Sequence, residues 1–382
     1  MGKRILFISN LYPNPLHPAM AAYNRQQISA LREHCDVEVI SPIPWPELIK
    51  QSLKQSDREE DGILIDHPTY YYTPRIFRGW YGDFFYHSIN RIAKQKLEDN
   101  QFDLIYSSWL YPDSWAAAKL AKRYNLPLFV KVHGSDVNRL KPGTMVTQRS
   151  LQVAQQAEKV ICVSRALKER LAELGVPENK LEVLYNGVDH TIFHPMDRAD
   201  VRRKLEIDSD EFLVLFVGNL KKEKGLDELI TAFKSITDTV TARSRLVIIG
   251  SGGYGLLAEQ LVSSLDLKEK VKFLGSLSLE TISIWMNAAS VLCLPSYMEG
   301  VPNVVLEALS CGTKVVATNV GGIPELNRGD GMLTLAPPRE STLLADALLS
   351  ISSRSIAGCP SSFISSWRDN GQQLYSLLSG GL

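Results

Sequence analysis

Glu299 and Glu307 enclose the run Gly300-Val301-Pro302-Asn303, with apolar stretches before and after. Ser290–Leu294 reads as a strand and Val304–Leu309 as a helix, so the two acids bracket a strand-to-helix loop. A helix start offers unpaired N–H groups and about half a positive charge, which suits a diphosphate without a metal ion. Gly300 lets the backbone come close to a ligand. Glu299 lies in the loop and Glu307 about one turn into the helix, so their carboxylates stand at two depths. Such a pair matches the hydroxyls of a sugar and of a ribose.

Two further groups fit that chemistry. Lys224, followed by Gly225 after the strand Phe212–Val217, can place a compact positive charge on a phosphate. His133-Gly134-Ser135-Asp136 follows the strand Leu128–Val132 and can offer hydrogen bonds at a strand end. Asp136 also suits a helix cap. Gly250-Ser251-Gly252-Gly253 is a weaker sign, because glycine-rich loops also serve as plain turns.

These residues need elements to hold them. Ile5–Ser9, Val37–Ile40, Leu104–Tyr106, Leu128–Val132, Val160–Val163 and Leu181–Tyr185 are short apolar or β-branched runs. Helical stretches such as Gln26–Arg32 and Ser114–Tyr124 separate them, a pattern that predicts a doubly wound parallel sheet. After the turn Asn186-Gly187-Val188-Asp189 a second series begins at Phe212–Val217 and runs through Arg245–Ile249, Val271–Leu274, Ser290–Leu294 and Lys314–Thr318. The expected fold is therefore α/β, with two Rossmann-like domains over 1–190 and 191–360 facing a cleft. A C-terminal helix in 361–382, read over Phe363–Leu378, packs on either one. In open α/β sheets ligands bind beyond the carboxyl ends of the strands.

Bulk composition narrows the classes. The 382 residues suffice for two cores, and 45% hydrophobic with 22% charged residues is ordinary for globular proteins. Forty-two basic residues balance forty-two acidic ones, which gives nucleic acid no overall field to bind. Five cysteines without a C-x-x-C pair read as reduced and argue against a zinc site. No run of eighteen apolar residues occurs, and the N-terminal apolar run is too short for a signal peptide, so the expected place is the cytoplasm.

Glu299-Gly-Val-Pro-Asn-Val-Val-Leu-Glu307 resembles the donor motif of the retaining GT-B glycosyltransferases of family 4. His133-Gly-Ser-Asp136, Asn186-Gly-Val-Asp189, Gly218 to Lys224-Gly225, Gly250-Ser-Gly252 and Val316 to Glu325 match in the same order over nearly the whole chain. The resemblance implies that Glu307 binds ribose hydroxyls, Glu299 sugar hydroxyls, and the amides from Gly300 through Val301, Pro302, Asn303 and Val304 the sugar and phosphates. It places Gly218 and Lys224 at the diphosphate, Leu277 at the base, and His133 beside the reacting carbon, with His133, Glu299 and Lys224 as the catalytic set. Asn219 stands where the family often has arginine, so either Lys221 or Lys222 replaces its charge or the helix start carries more of the load. Ala21 and Ala22 stand near a usual glycine, on the acceptor side with Asp136. The implied reaction moves a sugar from a nucleotide sugar, UDP-linked before GDP-linked, to a glycan or lipid-linked acceptor in surface polysaccharide or glycolipid synthesis. No cofactor and no metal is implied. A GT-B-fold nucleotide-sugar epimerase and a non-catalytic binding or scaffold protein are the alternatives.

Tyr70–Tyr86 holds nine aromatics in seventeen residues, with Arg75 and Arg78 among them and Arg91, Lys94 and Lys96 after them. The simpler reading makes these rings part of the first core. The other makes them a peripheral contact with the inner membrane face.

Overall fold

The computed structural model describes all residues except 1, 19, 52–57, 61, 240–242, 353–362 and 381–382. It divides into two compact units, Met1–Gly187 with Trp367–Leu382, and Val188–Ser366. The chain thus leaves the first unit at Gly187 and returns to it at Trp367, somewhat off the boundaries near 190 and 360 read from the sequence.

In the first unit an eight-stranded sheet runs Leu181–Val183, Lys159–Cys162, Leu128–Val132, Leu104–Ser108, Arg4–Ile8, Asp36–Ile40, Ile63–Asp66, Arg58–Glu60. All pairs are parallel except the last. The second unit has a six-stranded parallel sheet, Val271–Gly275, Ser244–Ile249, Phe212–Val217, Val291–Leu294, Val315–Thr318, Leu333–Ala336. Helices cover the strands, which is why Leu104–Ser108, Leu128–Val132 and Val291–Leu294 are buried along their whole length. The strand order reverses between Arg4–Ile8 and Leu104–Ser108 in one sheet, and between Phe212–Val217 and Val291–Leu294 in the other. Reversal points of this kind open a crevice at the carboxyl ends. Strand Ile63–Asp66, second from the end of its sheet, and edge strand Leu333–Ala336 were not legible, since four residues with mixed exposure leave little pattern.

The C-terminal helix spans Trp367–Gly380, shorter at its start than Phe363–Leu378, and packs on helix Ala22–Leu31 of the first unit. Leu374 and Leu378 are fully buried in that unit's core. Gln27 Nε2 donates to Asn370 Oδ1 at 2.6 Å, and Asn370 Nδ2 to the Tyr185 carbonyl at 2.6 Å. A β-carbon on Gly371 would stand 2.7 Å from the carbonyl carbon of Ala30, so only glycine permits this helix-on-helix approach. Four cysteines, Cys35, Cys162, Cys293 and Cys311, are free and buried, and Cys359 lies outside the described residues. No helix among the described residues is long and apolar enough to cross a membrane.

Gly371→Val is expected to force the two helices apart and to cost about 1–3 kcal/mol of stability. Urea unfolding measures it, and an unchanged midpoint contradicts the packing.

Candidate functional site

Loops at the carboxyl ends of the second sheet are tied to one another through their backbones. Leu220 N–H donates to Ser251 O at 2.9 Å, Gly250 N–H to Gly275 O at 2.7 Å, Tyr297 N–H to Glu223 O at 2.9 Å, and Gly322 N–H to Gly300 O at 2.7 Å. Two glycines make the closest approaches possible. A β-carbon on Gly225 (φ +71°) would stand 2.1 Å from Pro295 O, and one on Gly321 (φ +54°) 2.0 Å from Glu299 O. These contacts fix the loop Pro295–Pro302 from two sides.

Within that frame Lys224 Nζ pairs with Glu299 Oε1 at 2.6 Å, both side chains largely shielded. The pair leaves the ammonium further N–H groups to donate. The loop continues through buried Gly300, Val301 and Pro302 into half-buried Asn303 and Val304, the first residues of helix Asn303–Ser310. Pro302 is its N-cap and makes no side-chain capping bond. Glu307 sits in the second turn. Its surface is partly open, yet the surrounding protein is deep enough that burial pushes its carboxyl up to about 7. Among the described residues no hydrogen bond or ion pair reaches that carboxylate. Gly218 ends strand Phe212–Val217, Asn219 beside it is exposed, and Lys221 and Lys222 are exposed as well. Half-buried Leu277 follows Ser276, whose Oγ donates to Ser251 Oγ at 3.0 Å. The second unit therefore gathers Gly218, Lys224, Leu277 and Glu299–Glu307 along one edge of its sheet. The arrangement offers a shielded cation, a helix start and a carboxylate without a hydrogen-bonding partner among the described residues, a set suited to an anion flanked by hydroxyls.

The first unit builds a second cluster around His133. Ser108 Oγ, at the end of the neighbouring strand, lies 2.6 Å from His133 Nε2, and the Tyr23 ring centroid lies 4.7 Å from the imidazole. Burial, together with the Lys131 ammonium, holds the His133 pKa well below its ordinary value, so the ring is neutral at pH 7. Asp136 accepts at Oδ1 from the His133 and Gly134 N–H groups (3.1 and 2.9 Å) and at Oδ2 from Leu110 N–H (3.3 Å). With 8% exposure and both oxygens on backbone amides, it shapes the loop that carries His133. That gives Asp136 a positioning role for the loop on which the acceptor side was expected from the sequence. Ala21 occupies the left-handed region (φ 49°, ψ 42°) as N-cap of helix Ala22–Leu31. The usual glycine would adopt this conformation freely, whereas alanine accepts a strain of about 1–2 kcal/mol.

Sequence reasoning missed three residues here. Ser108 and Asn24, whose Nδ2 donates to Ser108 Oγ at 3.0 Å, carry no motif of their own. Lys131 did leave a signal, a lone charge in an apolar strand. It is fully buried, donates to Gln27 Oε1 and Asn186 Oδ1 at 2.9 Å each, and burial lowers its pKa to about 7.

Two family models match the chain in tandem, Glycosyltransferase Family 4 over residues 20–192 and Glycosyl transferases group 1 over 197–361. The chain belongs to the family 4 glycosyltransferases. A Bacillus subtilis (strain 168) family member, provisionally named a teichuronic acid biosynthesis glycosyltransferase, is 28% identical over 90% of this chain and 88% of its own. The Bacillus anthracis N-acetyl-alpha-D-glucosaminyl L-malate synthase is 25% identical over 69% of this chain and 68% of its own. Two solved structures share the GT-B fold over nearly full length. Sucrose-phosphate synthase from Thermosynechococcus elongatus has a TM-score of 0.79 at 21% identity, covering 99% of this chain and 97% of that one. Anabaena HepE in complex with UDP and glucose has a TM-score of 0.78 at 20% identity, covering both chains fully. Membership of this glycosyltransferase family sets aside the epimerase and scaffold readings.

A carboxyl whose pKa rises from 4.5 to about 7 on folding adds stability below the lower value and loses it as pH climbs through the upper one. Glu307→Gln removes that loss. The melting temperature of the variant should therefore gain on the native protein between about pH 5 and pH 8. Parallel melting curves across that range would contradict the burial of Glu307.

Proposed function

We propose that this glycosyltransferase takes its sugar from a nucleoside diphosphate sugar bound along Gly218–Lys224 and Glu299–Glu307, and transfers it with retention of configuration. The observation that carries this reading is the Lys224–Glu299 pair at the start of helix Asn303–Ser310, with a Glu307 carboxylate in its second turn that has no hydrogen-bonding partner among the described residues. In it Glu299 accepts from sugar hydroxyls, Lys224 and the N–H groups of Gly300, Val301, Asn303 and Val304 stabilise the diphosphate as it leaves, and Glu307 accepts from the ribose hydroxyls. The turn at Leu277 lies against the base. A UDP-sugar is the favoured donor, in keeping with the UDP, UDP plus glucose and UDP-glucose that the HepE crystal structures contain.

Retention follows from attack by the acceptor hydroxyl on the face that the diphosphate leaves. The new glycosidic bond forms as the sugar–phosphate bond breaks, and the departing phosphate oxygen takes the acceptor's proton. Neutral His133, held by Ser108 and the Asp136 loop, serves as a hydrogen-bonding group for a sugar or acceptor hydroxyl. The negative charge is met by Lys224 and the helix start, so the step asks for no metal ion. The acceptor is a glycan or lipid-linked glycan of a surface polysaccharide or glycolipid, a class suggested by the name of the Bacillus subtilis relative.

A thermal-shift screen against UDP- and GDP-sugars should find one UDP-sugar that raises the melting temperature, and no response to any nucleotide sugar would overturn the donor assignment. Glu307→Ala should weaken binding of that donor by about 1.5–3 kcal/mol, since ribose hydroxyls lose a charged acceptor. Transfer should continue in EDTA. Complete loss that Mg²⁺ restores would refute the metal-free reading.

A further inference from the structure

The aromatic stretch Tyr70–Tyr86 does not go to the core as a whole. Tyr70 and Phe85 are buried, but Tyr71, Ile76, Phe77 and Trp80 are 65%, 56%, 63% and 48% exposed. Met145, 43% exposed, joins them in space, with its Sδ 2.6 Å from where a β-carbon on Gly79 would sit. Large apolar side chains gathered this way on a surface mark a place of interaction.

The backbone holds them there. Arg75 (φ 71°) and Phe77 (φ 53°) both lie in the left-handed region that bulky side chains avoid. Thr73 Oγ1 donates to Ile76 O at 3.0 Å, Trp80 N–H to Phe77 O at 2.8 Å, and Tyr81 Oη to Thr73 O at 2.8 Å. A loop closed on itself by these bonds presents Ile76 and Phe77 outward.

Charge within the loop and the segment facing it has one sign. Residues 70–82 and 137–149 contain no Asp or Glu. Arg75, Arg78, Arg139 and Lys141 line a cavity of about 680 Å³ beside the loop, together with Tyr72 and Tyr111, and no acidic side chain lines it. Asp83, the first acid after the loop, is engaged by Lys119 and Arg149.

We propose that this face docks the protein on a membrane surface rich in anionic phospholipid. Ile76, Phe77 and Trp80 enter the boundary between headgroups and acyl chains, and the cavity lined by Arg75, Arg78, Arg139 and Lys141 receives headgroup phosphates. Apolar side chains ringed by cations match a bilayer, whose phosphates lie directly above its hydrocarbon. Guanidinium groups add bidentate geometry toward phosphate oxygens. Docking stands apart from the donor reading, since it uses none of the residues placed at the nucleotide sugar.

The test is flotation of the full chain with vesicles of phosphatidylcholine alone and of phosphatidylcholine mixed with phosphatidylglycerol, in the absence of any sugar nucleotide. The native protein should float with the mixed vesicles and stay behind with phosphatidylcholine alone. Ile76→Ser with Phe77→Ser should weaken binding at least about tenfold, and so should Arg75→Ser with Arg78→Ser. Both double variants should keep the native melting temperature, because the altered side chains are exposed. No flotation with mixed vesicles at low salt would overturn the proposal. Undiminished flotation of the Ile76/Phe77 variant would overturn it too, since general attraction between charges would then account for binding.

Discussion

The Glu299 loop is held where two backbones pass it too closely for any side chain. Gly225 lies against Pro295 O on one side, and Gly321 against Glu299 O on the other. Both glycines have positive φ, so an alanine at either would meet strain as well as collision. The Lys224–Glu299 pair depends on this arrangement, because Lys224 directly precedes Gly225 and Glu299 carries the carbonyl that Gly321 approaches. The direction in which helix Asn303–Ser310 starts depends on it in turn. Polar groups meant to meet a charged ligand gain most when they are fixed beforehand, and here the fixing is done by backbone contacts.

Glu307 shows the cost of such readiness. Its carboxyl is surrounded by protein, has no hydrogen-bonding partner among the described residues, and is pushed up to about 7. Burying an ionisable group without a partner is unfavourable, and a ligand that brings hydroxyls to it supplies the missing bonds. The first unit handles its buried groups differently. Lys131 is surrounded by the amide oxygens of Gln27 and Asn186, and Gln27 continues to Asn370 of the C-terminal helix. That network links strand Leu128–Val132, which leads to His133, with the last helix of the chain. The far end of the sequence thus helps to set the first unit's polar cluster.

Much of the frame was legible because parallel strands buried on both faces read as apolar runs, as Phe212–Val217 and Leu128–Val132 do. The Glu299–Glu307 loop was legible because its chemistry depends on local order: strand, glycine, helix start. Partners distant in sequence were not legible. Nothing near Gly371 announces Ala30, and nothing near Ser108 announces His133. The bond from Leu110 N–H to Asp136 was hidden for the same reason, since Leu110 lies in another loop. Composition could not divide the aromatic stretch either. Tyr70 is buried at the end of the short strand Thr69–Tyr70, whereas Tyr71, just past that strand, is exposed.

The central claim is that one loop and the helix after it hold the donor in layers, sugar at Glu299 and ribose at Glu307. Calorimetric titration of Glu299→Gln and Glu307→Gln with UDP and with the intact UDP-sugar tests it most directly. The layered arrangement predicts that Glu307→Gln weakens both ligands equally, while Glu299→Gln weakens the UDP-sugar and leaves UDP unchanged. Equal loss of UDP affinity in both variants, or none in Glu307→Gln, would contradict it.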